Sequence, residues 1–294
     1  MRVYNHAPLN FIGQKRFWLN DLRHLTFNDD AIIVDVFGGS GLVAHTIKAA
    51  NPHLRVVWND YDNYAGRLNK LKDTEALRVL LVKALEDTYP QEHQKLTERQ
   101  LEIIKNTIDE FDGDYDKEAV ARWFAHQMNK KSRFGEMKYY NLRLTPYKSA
   151  DDYLQGVERE SADFKTIIDK YRSSDTVFIC DPPYIFTTQS TYNKKAGNED
   201  DDFHSSFALK DTIEMLKLLR DNPAYIFTSH KSELDAVCEL MNIEYVKLSR
   251  KQCIAAGREY YEELYMINQA KKPRNHYSLF DNNHNERIGN GASI

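Results

Sequence analysis

Two successive prolines, Pro182-Pro183, set a hard limit on the fold around them. Neither carries a backbone N–H, so the apolar run before them, Thr176-Val177-Phe178-Ile179-Cys180, cannot continue a sheet ladder beyond Asp181. That run reads as a buried strand. The chain must therefore leave the sheet at Asp181-Pro182-Pro183-Tyr184. A carboxylate, two rigid residues with free carbonyl oxygens and a flat ring do little for stability at the end of a core strand. Together they can hold a planar amino group, with the carboxylate and a carbonyl accepting its hydrogens and the ring lying against its plane.

A second constraint lies earlier in the chain. Ala31-Ile32-Ile33-Val34-Asp35-Val36-Phe37 is a short apolar strand, Gly38-Gly39-Ser40-Gly41 follows, and 42–50 continues as a helix. Strand, glycine turn and helix is the layout of a nucleotide-type cofactor site. The next strand, 54–60, ends in Asp60, about twenty residues further on, where a carboxylate can hydrogen-bond a ribose diol.

Helical periodicity then dominates over 71–86, 96–111 and 117–128, with Thr97 as N-cap and Gln100 completing a capping box. Residues 68–152 are expected to form a mainly helical insertion. Its last part, 121–150, holds seven basic residues and one acid, with Trp123, Phe124, Phe134, Tyr139, Tyr140 and Tyr147 interleaved. A basic, aromatic-rich stretch is an electrostatic footprint for a nucleic-acid backbone, although the whole chain carries a net charge of −4. The α/β rhythm resumes with a weak strand at 157–161, a helix at 165–171 and the strand before the prolines. A long polar loop at 187–204 precedes a helix at 209–221, a strand at 224–229 and a helix at 231–241. An antiparallel pair at 245–249 and 262–267 closes the pattern, with Gly257 in the connection. The expected division is a discontinuous α/β domain (1–67 and 153–270), the insertion (68–152) and a polar tail (271–294).

Asp60, Asp163 and Asp181 all fall at or just beyond strand ends, the edge where open α/β sheets bind ligands. The glycine turn allows close backbone approach, Asp60 suits a ribose and Asp163 suits the exocyclic amine of an adenine. No GxxxxGK[ST] phosphate loop is present, so a nucleoside without phosphates fits better than ATP. S-adenosylmethionine is such a molecule.

The motifs in their order resemble the Dam-like DNA adenine N6-methyltransferases, a family with DPPY and FxGxG motifs. The second is Phe37-Gly38-Gly39-Ser40-Gly41 here. Asn10-Phe11-Ile12-Gly13-Gln14-Lys15 is similar to the family's aromatic-x-Gly-Gly-Lys segment, with Gln14 where the family has Gly or Ser. Val36 stands where it usually has Pro. Tyr225-Ile226-Phe227-Thr228-Ser229-His230 is similar to its next core strand, and Gly257 to Leu264 to its closing Arg…Glu-Leu hairpin. The resemblance covers 8–67 and 157–268.

This resemblance implies a Rossmann-like, S-adenosylmethionine-dependent methyltransferase sheet, with 68–152 in the place of a target-recognition domain. It implies methyl transfer to adenine N6 in double-stranded DNA, by base flipping and direct in-line attack without a covalent enzyme intermediate. Asp181, Pro182 and Tyr184 are the implied catalytic set. The implied cofactor set is Phe11, Lys15, Asp35, Phe37, Gly39, Gly41, Asp60, Asp163, Phe164 and Asp181. Arg122, Lys130, Lys131, Arg133, Asn141, Tyr192 and Asn193 are the candidates for DNA contact.

Rival readings are methylation of another planar amino group (an RNA base, cytosine N4 or protein glutamine), an inactive DNA-binding relative, and a dehydrogenase. The last would use Gly39-Ser40-Gly41-Leu42-Val43-Ala44 as a loose dinucleotide fingerprint and leaves the two prolines unexplained. Cys180, Cys238 and Cys253 are too far apart for a zinc set and read as reduced, buried thiols. With no membrane span, signal peptide or metal motif in view, the expectation is a cytoplasmic protein without metal, monomeric or weakly dimeric.

Overall fold

The computed structural model describes residues 2–88, 94–124, 140, 142–183, 207–255 and 258–268. The strands are β1 (Ile32–Asp35), β2 (Arg55–Asn59), β3 (Glu158–Glu160), β4 (Thr176–Cys180), β5 (Ala224–Ser229), β6 (Tyr245–Ala255) and β7 (Arg258–Ile267). They form one sheet in the order β3-β2-β1-β4-β5-β7-β6. The pairs β1–β2, β1–β4, β2–β3 and β4–β5 are parallel, whereas β7 runs antiparallel to both β5 and β6. This is a Rossmann-like sheet, as the sequence leads one to expect.

Burial on both faces explains the apolar runs. Along β1 and β4, Ile33, Val177 and Ile179 enter one apolar cluster, and Val34, Phe178 and Cys180 enter the other. Successive side chains of a strand point to opposite faces, so a sheet covered on both sides needs apolar residues at every position. The first cluster takes α1 (Leu19–Arg23) and α2 (Leu42–Ala50); the second takes α7 (Phe164–Tyr171), α8 (Leu209–Leu218) and α9 (Leu234–Leu240).

Chain order reverses at β1, whose neighbours β2 and β4 lie on opposite sides. A crevice opens at such a point, at the C-terminal strand ends. Val36 extends the β1–β4 ladder there, its N–H donating to the Ile179 carbonyl at 2.9 Å. The proline usual in the resembling family could not make that bond.

The short α3 (Tyr64–Leu68) leads into residues 68–152, which contribute α4 (Leu71–Ala84), α5 (Glu98–Asp109) and α6 (Lys117–Trp123). The Thr97 hydroxyl accepts from Gln100 N, and the Gln100 side chain accepts from Thr97 N, completing the expected capping box. The hairpin β6–β7 is longer than the expected 245–249 and 262–267, with pairing that extends to Ala255 and Arg258. Its added residues include Arg250, Lys251 and Gln252. Charged and polar residues on an edge strand guard it against pairing with another chain, and that hides the strand from a hydrophobicity pattern. The part of the helix expected at 117–128 that follows Phe124, the loop expected at 187–204, Gly257 and the 271–294 tail lie outside the described residues.

Candidate active site

The N-terminal segment delivers one side chain to the strand ends. Gly13, at φ 84°, turns the chain, and a short 3-10 turn, Arg16–Trp18, then carries it into α1. Gln14 fastens this segment: its side-chain oxygen accepts from Ala7 N at 2.9 Å, and its amide nitrogen donates to the Phe11 carbonyl at 3.3 Å. Glycine or serine could not make both bonds, so the departure from the family pattern has a structural use.

Lys15, only 4% exposed, places its ammonium 2.7 Å from Asp181 Oδ2. It also donates to the Gly13 carbonyl at 3.0 Å and lies 3.4 Å from Glu262 Oε1. Asp181 is 20% exposed and stands immediately after β4 and before Pro182-Pro183. Asp35, the last residue of β1, is buried beside it. Burial, and then the charge of Asp181, push the Asp35 carboxyl up to about 7, against a backbone hydrogen bond from Ala44 and the charge of Lys15, which lower it. Among the described residues Asp35 Oδ2 has no hydrogen-bond partner.

The glycine turn lies alongside. Gly41 (φ 74°) begins α2, and its N–H donates to the Gly38 carbonyl at 2.7 Å. At Gly39 (φ 46°) a Cβ would stand 2.7 Å from Phe11 Cε1. Phe37 and Phe164 stack at 5.6 Å, and the Phe207 ring meets both edge-on. The structure thus gathers Lys15, Asp35 and Asp181 in one place, sets Phe11 over Gly39, and makes an aromatic wall of Phe37 and Phe164.

Asp60 and Asp163 have duties of their own. Asp60 is fully buried. Its Oδ1 accepts from Tyr64 N at 2.5 Å, and its Oδ2 accepts from Ala65 N at 3.0 Å and from Arg159 Nε at 2.8 Å. Burial raises its pKa, and these bonds oppose the rise. Asp163 caps α7, accepting from Lys165 N at 2.9 Å. Arg122 lies on the last turn of α6, 19% exposed and 3.9 Å from Glu118, and burial lowers its pKa. Tyr184, Lys130, Lys131, Arg133, Asn141, Tyr192 and Asn193 lie outside the described residues.

Sequence reasoning missed Glu262 and Phe207. Glu262 stands beside Glu263 in β7, within Tyr260-Tyr261-Glu262-Glu263-Leu264, and both carboxylates are buried. Two acids on successive positions of a core strand are the signal that was there to find. The three cysteines are free and buried, as expected. Among the described residues no group of three or more His, Cys, Asp or Glu side chains could hold a metal ion, and no helix is long and apolar enough to cross a membrane.

Sheet order and strand-end acids together define a methyltransferase of Rossmann-like build. The family model for D12 class N6 adenine-specific DNA methyltransferases matches residues 11–252, and the chain belongs to that family. A Haemophilus influenzae protein named "Putative methyltransferase" is 34% identical over 244 residues, covering 79% of this chain and 78% of that protein. An rRNA methylase from Streptococcus thermophilus aligns with 88% of this chain and 98% of its own, at a TM-score of 0.32 and 10% identity, too remote to carry an argument.

Proposed function

We propose that this protein transfers a methyl group from S-adenosylmethionine to the N6 amino group of adenine in double-stranded DNA. The observation that carries this reading is the Asp181 carboxylate, held 2.7 Å from Lys15 at the end of β4 and followed at once by two prolines. The adenine amino group is a weak nucleophile because its lone pair is delocalised into the ring. Asp181 accepts one of its N–H groups and the Pro182 carbonyl the other. Those bonds draw the nitrogen toward tetrahedral geometry and free the lone pair for attack. Positioning and fixed charges supply the catalysis, and no enzyme nucleophile is needed.

The residues present fit the proposed cofactor. Asp35 Oδ2, buried without a hydrogen-bond partner among the described residues, suits a cationic group, and the glycine turn admits close backbone approach. When bound, S-adenosylmethionine supplies an electrophilic methyl on a sulfonium. Asp35 would hold the cationic end and Phe37 and Phe164 would flank it. Asp60, whose oxygens already cap α3 and pair with Arg159, would meet a ribose only through what acceptor capacity remains.

An amino group paired in a duplex is out of reach, so the base must be flipped out, at a cost of a few kcal/mol offset by stacking and edge contacts. Tyr184 is assigned that stacking role. The insertion at 68–152 is assigned DNA recognition, with Lys130, Lys131 and Arg133 on the backbone.

The test is a transfer assay with methyl-labelled S-adenosylmethionine and mixed-sequence duplex DNA, followed by digestion to nucleosides. Label in N6-methyladenine is expected. Label confined to cytosine, to an RNA competitor or to protein would overturn the reading, as would no transfer at all.

A further inference from the structure

We infer that Glu262 is a positioning residue of the active site, one that acts on Asp181 through Lys15. This rests on the reading above and extends it to a residue of the closing hairpin, outside the implied catalytic and cofactor sets.

Glu262 lies on β7 directly opposite Ser229, the last residue of β5, so it sits at the same sheet edge as Asp35 and Asp181. It is only 5% exposed. Its partners include Trp18, Lys15 and the Cys253 thiol, which donates to Oε2 at 3.8 Å. Oε2 accepts from Trp18 Nε1 at 2.7 Å, and Oε1 faces the Lys15 ammonium at 3.4 Å. Trp18 is fully buried, three residues beyond Lys15, at the end of the 3-10 turn that begins there. The carboxylate therefore grips the N-terminal segment at both ends of one turn.

An ammonium has three N–H donors. Those of Lys15 have three oxygens within reach: the Gly13 carbonyl, Asp181 and Glu262. The ammonium is thereby fixed in place, and Glu262 shares the charge that Lys15 presents to Asp181. Asp181 then keeps enough negative charge to accept from an amino group. Without Glu262, the whole charge of Lys15 would act on Asp181, 2.7 Å away, and blunt it as an acceptor. A buried carboxylate that only stabilised the fold would need no cation already committed to the catalytic acid.

The test measures methyl transfer by wild type, Glu262→Gln, Lys15→Met and the double variant, with S-adenosylmethionine affinity measured separately by calorimetry. Glutamine preserves size and an acceptor for Trp18. For Glu262→Gln the expected result is a fall in kcat of about tenfold or more, with KM for DNA and cofactor affinity within about twofold of wild type. In the Lys15→Met background the same substitution should change kcat by less than about twofold, because its effect passes through Lys15. Trp18→Phe is the structural control, expected to lower Tm while leaving kcat within about threefold. Three outcomes would overturn the inference while sparing the proposed function: Glu262→Gln with wild-type kcat, an undiminished loss in the Lys15→Met background, or an equal kcat loss in Trp18→Phe. No transfer by wild type would overturn the proposed function itself, and this inference with it.

Discussion

The Lys15 ammonium lies 2.7 Å from Asp181 Oδ2, joining a segment that precedes the whole sheet to the residue just beyond its fourth strand. Asp181 is the more exposed partner, so its removal opens no large cavity. Asp181→Ala is expected to abolish transfer to DNA, a loss of at least about a hundredfold. Its fold should persist, because Lys15 retains Glu262 and the Gly13 carbonyl. Nucleoside analysis of the methylated DNA, with circular dichroism of the variant, checks both halves. Near-normal N6-methyladenine from this variant would sink the mechanism.

Asp35 makes stability depend on pH in a definite direction. Its ordinary value is 3.8 and its folded value is about 7. Between these limits the folded state holds a proton that the unfolded state has released, so stability falls as pH rises through that window and levels off above it. The total change is on the order of a few kcal/mol. Asp35→Asn, neutral throughout, should lose this slope, and its Tm relative to wild type should climb between pH 4 and pH 7. A bound cation favours the ionised carboxylate, so wild-type affinity for S-adenosylmethionine should rise over the same window. Parallel Tm curves for the two proteins would show that Asp35 is not the titrating group.

What could be read from the sequence follows from which residues carry a pattern. β4 and β5 match their expected limits because burial on both faces makes each a continuous apolar run. The helix at 42–50 is equally plain, set off by Gly41. The outer halves of β6 and β7 are not, because edge-strand charges break the run. The five-residue helices α1 and α3 are too short to show a period. In the site, the places of Asp35, Asp60 and Asp181 follow from their strands. Their partners do not: Arg159 lies 99 positions from Asp60, and Trp18 lies 244 from Glu262. Such pairs arise from sheet order, which local spacing cannot reveal.

Gly39 tests the glycine turn separately from the chemistry. Its φ of 46° disfavours any side chain, and a Cβ would meet the Phe11 ring at 2.7 Å. Gly39→Ala should cost about 1–2 kcal/mol in urea denaturation for the backbone alone, with the contact adding to it. Phe11→Ala made on top of Gly39→Ala should relieve the contact but not the backbone cost. Full recovery in the double variant would mean that φ at this position is unimportant.

Asp60 should matter to the protein with nothing bound. Its carboxylate holds two N–H groups at the start of α3 and the Arg159 guanidinium. Asp60→Ala leaves those donors without an acceptor, at a cost of about 1–3 kcal/mol. Urea denaturation in the absence of cofactor measures it. A variant as stable as wild type but deficient in cofactor binding would assign Asp60 to the ligand alone.

The insertion and the α/β part should unfold together. Leu77, Leu81, Ile104 and Trp123, within 68–152, belong to the same apolar cluster as Leu9, Trp18 and Tyr64. Arg67 on α3 crosses to Asp116, which caps α6, with Nε at 3.1 Å and Nη2 at 2.8 Å from Asp116 Oδ2. Both side chains are nearly buried, so removing one strands the other's charge, at a cost of about 3–5 kcal/mol. Glu118, 3.2 Å from Arg67 Nη1, offsets part of that. Asp116→Ala should therefore lower the urea midpoint markedly, and far-ultraviolet circular dichroism and tryptophan emission should report one coincident transition in wild type and variant alike. An early transition confined to one probe would show that 68–152 folds on its own and that the shared cluster does not couple the two parts.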